Sequence, residues 1–98
     1  HNVVLYIVYG VLKYSYYIPM DDSEVFKRIG SNIRVARTIK RLTQAQLAEL
    51  IDVHEKYIGK IEAGKQNLTV KTLNKIASAL DMDITRFFSG YNDLMLSK

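Results

Sequence analysis

The chain has no cysteine and only two histidines among its 98 residues. Without cysteine there is no disulfide framework and no thiolate chemistry, which fits a protein of the reducing cytoplasm. Two histidines alone do not provide the ligand cluster of a typical protein metal site. We therefore expect a cytoplasmic protein that carries no metal and no other cofactor.

The chain also lacks an apolar run long enough to cross a bilayer. The longest such run, from Val3 to Leu12, is short of the roughly 20 residues that a membrane-spanning helix needs. No cleavage site of the small-residue type follows it. The sequence therefore predicts neither a transmembrane helix nor a signal peptide, and no membrane partner.

Side-chain groups that carry enzyme chemistry are missing as well. The sequence shows no nucleophile with an accompanying base, no carboxylate dyad, and no glycine loop that would cradle a phosphate. We therefore expect a binding protein with no catalytic residues, not an enzyme.

Positive charge is concentrated in the middle of the chain. The whole sequence has 14 Lys and Arg against 10 Asp and Glu, a net charge of +4. Residues 27–75 contain eleven basic and four acidic residues, a net charge of +7. A single Lys or Arg could simply belong to a solvated helix face, but the cluster favours an anionic partner.

The N-terminal segment, residues 1–20, differs in composition from the rest. Residues 1–19 contain five of the seven tyrosines, several β-branched residues and no acid. This composition predicts an extended or β-type arm, in which Gly10 could turn a hairpin whose exposed edges would pair with another chain. The alternative is that Met20 is the natural start and residues 1–19 are an extension.

Residues 21–90 show the periodicity of short helices and are long enough for one compact domain. Residues suited to cap helix starts recur along this segment: Asp21 to Ser23, Thr43, Thr69 and Asp83. Gly64 and Gly90 suit helix ends. The sequence therefore predicts an all-α domain of five helices at 21–90, followed by a tail, residues 91–98, whose apolar residues could join a dimer contact.

The stretch "LAELIDVHEKYIGKIE" predicts two short helices joined by a tight turn. Ala48 is expected where the helices approach most closely, with Val53 and Ile58 filling the space beneath the turn. Asp52 follows helix two, where a positive φ is expected and Asp tolerates it. Such a pair of helices crosses steeply, which allows the second helix to enter a DNA major groove.

At this point the sequence resembles the lambda-repressor-like (XRE-type) helix-turn-helix DNA-binding family. The resemblance is carried by "LTQAQLAELIDVHEKYIGKIEAGKQNLTVKTLNKIASAL" and extends over roughly residues 24 to 89. Within the family, "KYIGKIEAGKQNLTVKTL" is most similar to restriction-modification controller proteins and small phage-type repressors. The resemblance implies a compact five-helix lambda-repressor-like fold that binds double-stranded DNA.

The resemblance also implies roles for residues of helices two and three. Gln44, the first residue of helix two, would bind a phosphate, assisted by the helix N-terminus. Glu55, Lys56 and Lys60 occupy base-reading positions on helix three, with Tyr57 beside them. Tyr57 could instead be half buried under helix two.

Further family positions flank helix three. His54 would contact a phosphate or a base edge, although it could be only a residue of the helix N-cap. Lys65, Gln66 and Asn67 match a loop that the family lays along the sugar-phosphate chain.

Arg37 and Glu62 match a structural ion pair of the family, with a plain surface acid as the alternative for Glu62. Two positions depart from the family pattern: Gly59 lies inside helix three, and Asp52 replaces a usual glycine. A glycine inside a helix costs about 1 kcal/mol relative to alanine.

Two functions remain open at this stage. The first is a sequence-specific transcriptional regulator of repressor or controller type that binds a two-fold operator as a homodimer. The alternative is an antitoxin-like or anti-activator protein whose main partner is another protein, bound through the N-terminal arm or the C-terminal tail. The basic surface of helix three favours the first.

Overall fold

The computed structural model describes residues 2–17 and 21–89, so Met20 and the predicted tail 91–98 lie outside the described residues. Within the described part, a two-stranded hairpin is followed by four α-helices and a short 3-10 helix. The strands are β1, Asn2–Val8, and β2, Val11–Tyr17. The α-helices are α1, Asp22–Ile39; α2, Gln44–Leu50; α3, Glu55–Glu62; and α4, Val70–Ala79.

The hairpin forms around a two-residue turn. β1 and β2 pair antiparallel, in a register that runs from Val8 opposite Val11 to Asn2 opposite Tyr17. The turn residues Tyr9 and Gly10 both have positive φ, at 52° and 76°. Two consecutive positive φ values are what a type I′ hairpin turn requires, and this turn matches the right-handed twist of the strands.

Each α-helix begins at a side chain that accepts a backbone hydrogen bond. The Thr43 hydroxyl accepts from the Gln46 N–H at 3.0 Å, and the Gln46 side-chain oxygen accepts from the Thr43 N–H at 2.8 Å. The pair forms a capping box at Thr43, where the sequence predicted a helix start. Thr69 caps α4 in the same way, accepting from the Thr72 N–H at 3.1 Å.

Carboxylates cap α1 and the 3-10 helix. Asp21 accepts from the Glu24 N–H at 2.9 Å, and Asp83 accepts from the Thr85 N–H at the same distance. The backbone hydrogen bond of Glu24 lowers the pKa of the Asp21 carboxyl, and the side-chain hydrogen bond of Thr85 lowers the pKa of Asp83. Both caps therefore act in their charged form and weaken only when the carboxyl is protonated in acid.

The short fifth helix predicted after Asp83 is present, but it is a 3-10 helix and not an α-helix. The segment after Asp83 is a 3-10 helix of five residues, Ile84–Phe88. Its backbone bonds span three residues, from the Arg86 N–H to the Asp83 oxygen and from the Ser89 N–H to the Arg86 oxygen. The backbone becomes extended at Ser89, so the segment is too short for an α-helical ladder.

The core lies between the four α-helices and the 3-10 helix. Its largest fully buried side chains are Phe87, Ile33, Leu47, Ile58, Ile61, Ile76 and Leu80. Asn32 is the buried polar residue of this core, with 2% of its surface exposed. Its side-chain amide donates to the backbone oxygens of Phe87 at 2.8 Å and Ser89 at 2.7 Å, which ties the 3-10 helix to α1.

Gly30 allows α1 to lie directly against α3. A Cβ atom at this position would lie 2.2 Å from the backbone oxygen of Ile61 and 2.8 Å from that of Glu62. Glycine is therefore required for the close approach that sets the position of α3.

Neither a membrane-spanning helix nor a metal-binding cluster is present among the described residues. No helix in the described ranges is long and apolar enough to span a membrane. Residues 2–17 and 21–89 also contain no group of three or more His, Asp or Glu side chains placed to hold a metal ion.

Candidate nucleic-acid interface

A short turn joins α2 to α3. Asp52 has a φ of 58°, the left-handed conformation expected at this position. The Val53 N–H donates to the Ala48 backbone oxygen at 2.9 Å, which closes the turn onto α2. Ala48 itself is buried in the core cluster, to which both α2 and α3 contribute, so a larger side chain would have to displace its neighbours.

The two faces of α3 differ in chemistry. Ile58 and Ile61 point into the core and are fully buried. Glu55, Lys56 and Lys60 lie on the opposite face and are exposed to solvent. The core therefore fixes α3 in place while its charged side chains remain free to contact a partner.

An open groove of about 530 Å³ runs along this exposed face. It is lined by residues of α2, α3 and the loop after α3: Gln44, Glu55, Lys56, Gly59, Lys60, Ala63 and Lys65. The structure thus brings together five of the residues predicted to contact DNA. Three lysines against one glutamate give the groove a net positive charge.

Glycine at position 59 has no packing reason within the described residues. A Cβ atom there would meet only the Gln44 side-chain oxygen, at 3.7 Å, which is an ordinary contact distance. Gly59 and Ala63 together form the floor of the groove. Sequence reasoning did not place Ala63 there, although a small residue one helical turn from Gly59 was a usable signal.

His54 is the N-cap of α3. Its Nδ1 atom accepts a hydrogen bond from the Lys56 N–H at 3.1 Å. The structure therefore places His54 in the capping position that the sequence left as an alternative. The ring remains exposed beside the start of α3, outside the groove.

Tyr57 also lies outside the groove. Its side chain is half buried and packs against the core together with Val53. This is the half-buried position that the sequence left open for Tyr57.

The loop between α3 and α4 carries Lys65, Gln66 and Asn67. Gly64 ends α3 with a φ of 73°, and the Lys65 N–H donates back to the Lys60 oxygen at 2.9 Å. This is a Schellman C-cap, which fixes the exit direction of the chain. Lys65 and Asn67 are exposed and Gln66 is half buried, and of the three only Lys65 lines the groove.

Arg37 and Glu62 are brought together behind the groove. Arg37 Nε donates to Glu62 Oε2 at 2.6 Å, and Arg37 Nη2 donates to Glu62 Oε1 at 2.9 Å. The two side chains are only 13% and 4% exposed. The side-chain hydrogen bond to Glu62 raises the pKa of Arg37, which favours the charged guanidinium.

Gln44 joins this ion pair. Its side-chain Nε2 donates to Glu62 Oε1 at 3.1 Å, a contact that sequence reasoning missed. The residues are 18 positions apart, and no local pattern links them.

The domain contains two short helices joined by a tight turn, and the second helix presents a basic outer face. This arrangement defines a helix-turn-helix domain. The family model described as "Helix-turn-helix" (HTH_3) matches residues 33–87, more than half of the chain. The chain belongs to this family, which confirms the resemblance noted from the sequence. It is a DNA-binding transcriptional regulator and not an enzyme.

Individual relatives agree with this assignment. The control protein C.SmaI of Serratia marcescens is 36% identical over 70 residues, covering 71% of this chain and 80% of that protein. The crystal structure of the restriction-modification controller protein C.AhdI from Aeromonas hydrophila superposes with a TM-score of 0.62 at 33% identity. That superposition covers 64% of this chain and 96% of C.AhdI.

A relative has also been solved with nucleic acid bound. SinR, described as a master regulator for biofilm formation, was crystallised in complex with DNA and superposes with a TM-score of 0.59 at 29% identity. The superposition covers 62% of this chain and 98% of SinR. Two other relatives, both described as uncharacterized HTH-type transcriptional regulators, are longer, and the matched part of the chain spans about half the length of each.

Proposed function

We propose that the protein is a sequence-specific regulator that reads the major groove of double-stranded DNA with α3. The observation that carries the proposal is the groove on the outer face of α3, where Lys56, Lys60 and Lys65 converge with Gln44. An α-helix fits the major groove, and cationic side chains beside it neutralise phosphates. The domain therefore has both parts that recognition of duplex DNA requires.

Base reading is assigned to the exposed residues of α3 itself. Lysine donates to guanine O6 and N7, and glutamate accepts from cytosine N4. Lys56, Lys60 and Glu55 would therefore select G·C pairs. Tyr57 lies beside them, but its half-buried ring supports packing of α3 more than base contact.

Phosphate contacts are assigned to the residues around α3. Gln44 at the start of α2, and the loop residues Lys65, Gln66 and Asn67, would hold the sugar-phosphate chain on either side of the reading helix. His54 would add a contact through Nε2, because its Nδ1 already accepts the capping hydrogen bond from Lys56.

The type of regulator follows from the relatives. C.SmaI is named a control protein and C.AhdI a restriction-modification controller protein. Similarity to both supports a controller or repressor role for this chain. We propose further that it acts as a homodimer on a two-fold operator. The exposed apolar side chains of Ile7, Val11 and Leu12 near the hairpin tip support pairing with a second copy more than a role on DNA.

A selection from a pool of random DNA duplexes tests this function. We expect the wild-type chain to enrich a motif that contains G·C pairs and is repeated with two-fold symmetry, its half-sites ~34–36 Å apart. Failure of the folded chain to enrich any motif would contradict sequence-specific binding. Enrichment of a single unrepeated half-site would contradict the two-fold dimer.

A further inference from the structure

Glu62 connects three helices behind the DNA-facing groove. It lies at the end of α3, and its carboxylate accepts from Arg37 on α1 and from Gln44 on α2. Oxygen Oε2 accepts from Arg37 Nε, whereas Oε1 is shared between Arg37 Nη2 and Gln44 Nε2. An ion pair that served only to join α1 to α3 would have no need of Gln44.

The contact fixes the orientation of the Gln44 side chain. With Nε2 on Glu62, the amide oxygen turns toward Gly59, where it lies 3.7 Å from the site of a Cβ atom. A side-chain amide has two N–H hydrogens, and only one is used by Glu62. Gln44 itself lines the groove at the start of α2, so the second hydrogen remains available there for a partner.

We infer that Glu62 is a positioning residue for DNA binding, which holds the amide of Gln44 so that it donates to a DNA phosphate. This inference rests on the proposed function. The hydrogen bond in the free protein removes the need to order a flexible side chain on binding, which is otherwise a cost of association. Arg37 neutralises the carboxylate, so the acid can lie beneath a surface that binds phosphate.

Electrostatics alone makes the opposite prediction. Removing a negative charge near a phosphate-binding surface should strengthen binding of DNA. If Glu62 positions Gln44, its removal should weaken binding despite the lost negative charge. The sign of the change therefore separates the two explanations.

The experiment measures affinity for the duplex that the wild-type chain selects from the random pool. The variants are Glu62→Ala and Glu62→Gln, each alone and combined with Gln44→Ala, at a temperature where circular dichroism shows all of them folded. We expect Glu62→Ala to weaken binding by about tenfold or more, the size of one lost charge-assisted hydrogen bond. In the Gln44→Ala background the same change should cause no further loss.

The conservative variant separates positioning from stability. Glu62→Gln breaks the ion pair and should lower the melting temperature, but its amide oxygen can still accept from Gln44. We therefore expect it to keep DNA affinity within about twofold of wild type. Equal loss of affinity in Glu62→Ala with and without Gln44 would overturn the inference, and so would unchanged or tighter binding by Glu62→Ala.

A measurement on the unmodified chain covers the case in which Glu62→Ala does not fold. NMR relaxation of the Gln44 side-chain NH2 group should show a restricted amide in the free protein. A freely reorienting amide would overturn the inference. If the wild-type chain selects no duplex at all, the proposed function fails. The NMR measurement does not depend on DNA, so it still shows whether the Gln44 amide is held in place.

Discussion

Replacing Gly30 with alanine should lower the free energy of unfolding by about 3 kcal/mol or more, at the upper end of what overpacking costs. The added Cβ atom would lie 2.2 Å from the Ile61 backbone oxygen and 2.8 Å from that of Glu62. Both atoms belong to backbone and cannot rotate away. Relief requires α1 and α3 to separate, which would also displace the helix that we propose reads DNA.

The matched control is the same substitution on α3. Gly59→Ala should raise the free energy of unfolding by about 1 kcal/mol, because alanine favours a helix and the added methyl group has room. Chemical denaturation of both variants against wild type measures the two effects. A loss of stability in both variants would show that the space above Gly59 is not open.

Arg37→Ala should cost about 3–5 kcal/mol of stability, because it leaves a buried carboxylate without its partner. Glu62 is only 4% exposed, and Arg37 also donates to the Leu42 backbone oxygen at 2.7 Å. Both contacts are lost together. The expected loss is far larger than the 0–1 kcal/mol or so of a surface pair.

Arg34→Ala is the control for Arg37→Ala, since Arg34 is exposed on the same helix. It removes an equal charge and should change the melting temperature little. Thermal denaturation of Arg34→Ala, Arg37→Ala and wild type compares the three melting temperatures. If the two melting temperatures fall by the same amount, the contribution of the buried pair is no more than that of a surface charge.

Helix starts could be predicted from sequence because their signals are local. Thr43 and Gln46 satisfy each other's backbone N–H groups across three residues, and Asp83 accepts from the Thr85 N–H two residues along the chain. Such contacts need no information about distant segments. The positive φ at Asp52 was predictable for the same reason, as the residue that follows a short helix.

Contacts between distant segments could not be predicted in this way. Asn32 binds the backbone of Phe87 and Ser89, which lie 55 and 57 positions away. The sequence shows Asn32 as a polar residue on the apolar side of α1, but it does not show which distant group the side chain will bind. That partner is determined only when the chain folds. A fifth helix after Asp83 was predicted, but its type was not, because the same cap and apolar spacing suit both an α-helix and a 3-10 helix.

The sequence indicated most of the residues that line the candidate groove, but it did not indicate which contacts each side chain makes. Lys56 and Lys60 are exposed on α3, as the helical spacing indicated. The spacing did not show whether His54 caps α3 or contacts DNA. It also did not show whether Tyr57 packs against the core or contacts DNA. Those choices depend on how α3 is rotated against α2, which only the packed core determines.

The central claim is that α3 reads sequence while the surrounding residues hold phosphates. The most direct test titrates wild type, Lys56→Ala, Lys60→Ala and Lys65→Ala against the selected duplex and every single-base variant of one half-site. We expect Lys56→Ala and Lys60→Ala each to cost ~1–3 kcal/mol and to relax preference at one position. Lys65→Ala should weaken binding to all duplexes alike. If Lys56→Ala and Lys60→Ala both keep the wild-type preference profile and lose affinity only uniformly, α3 does not read sequence through these lysines.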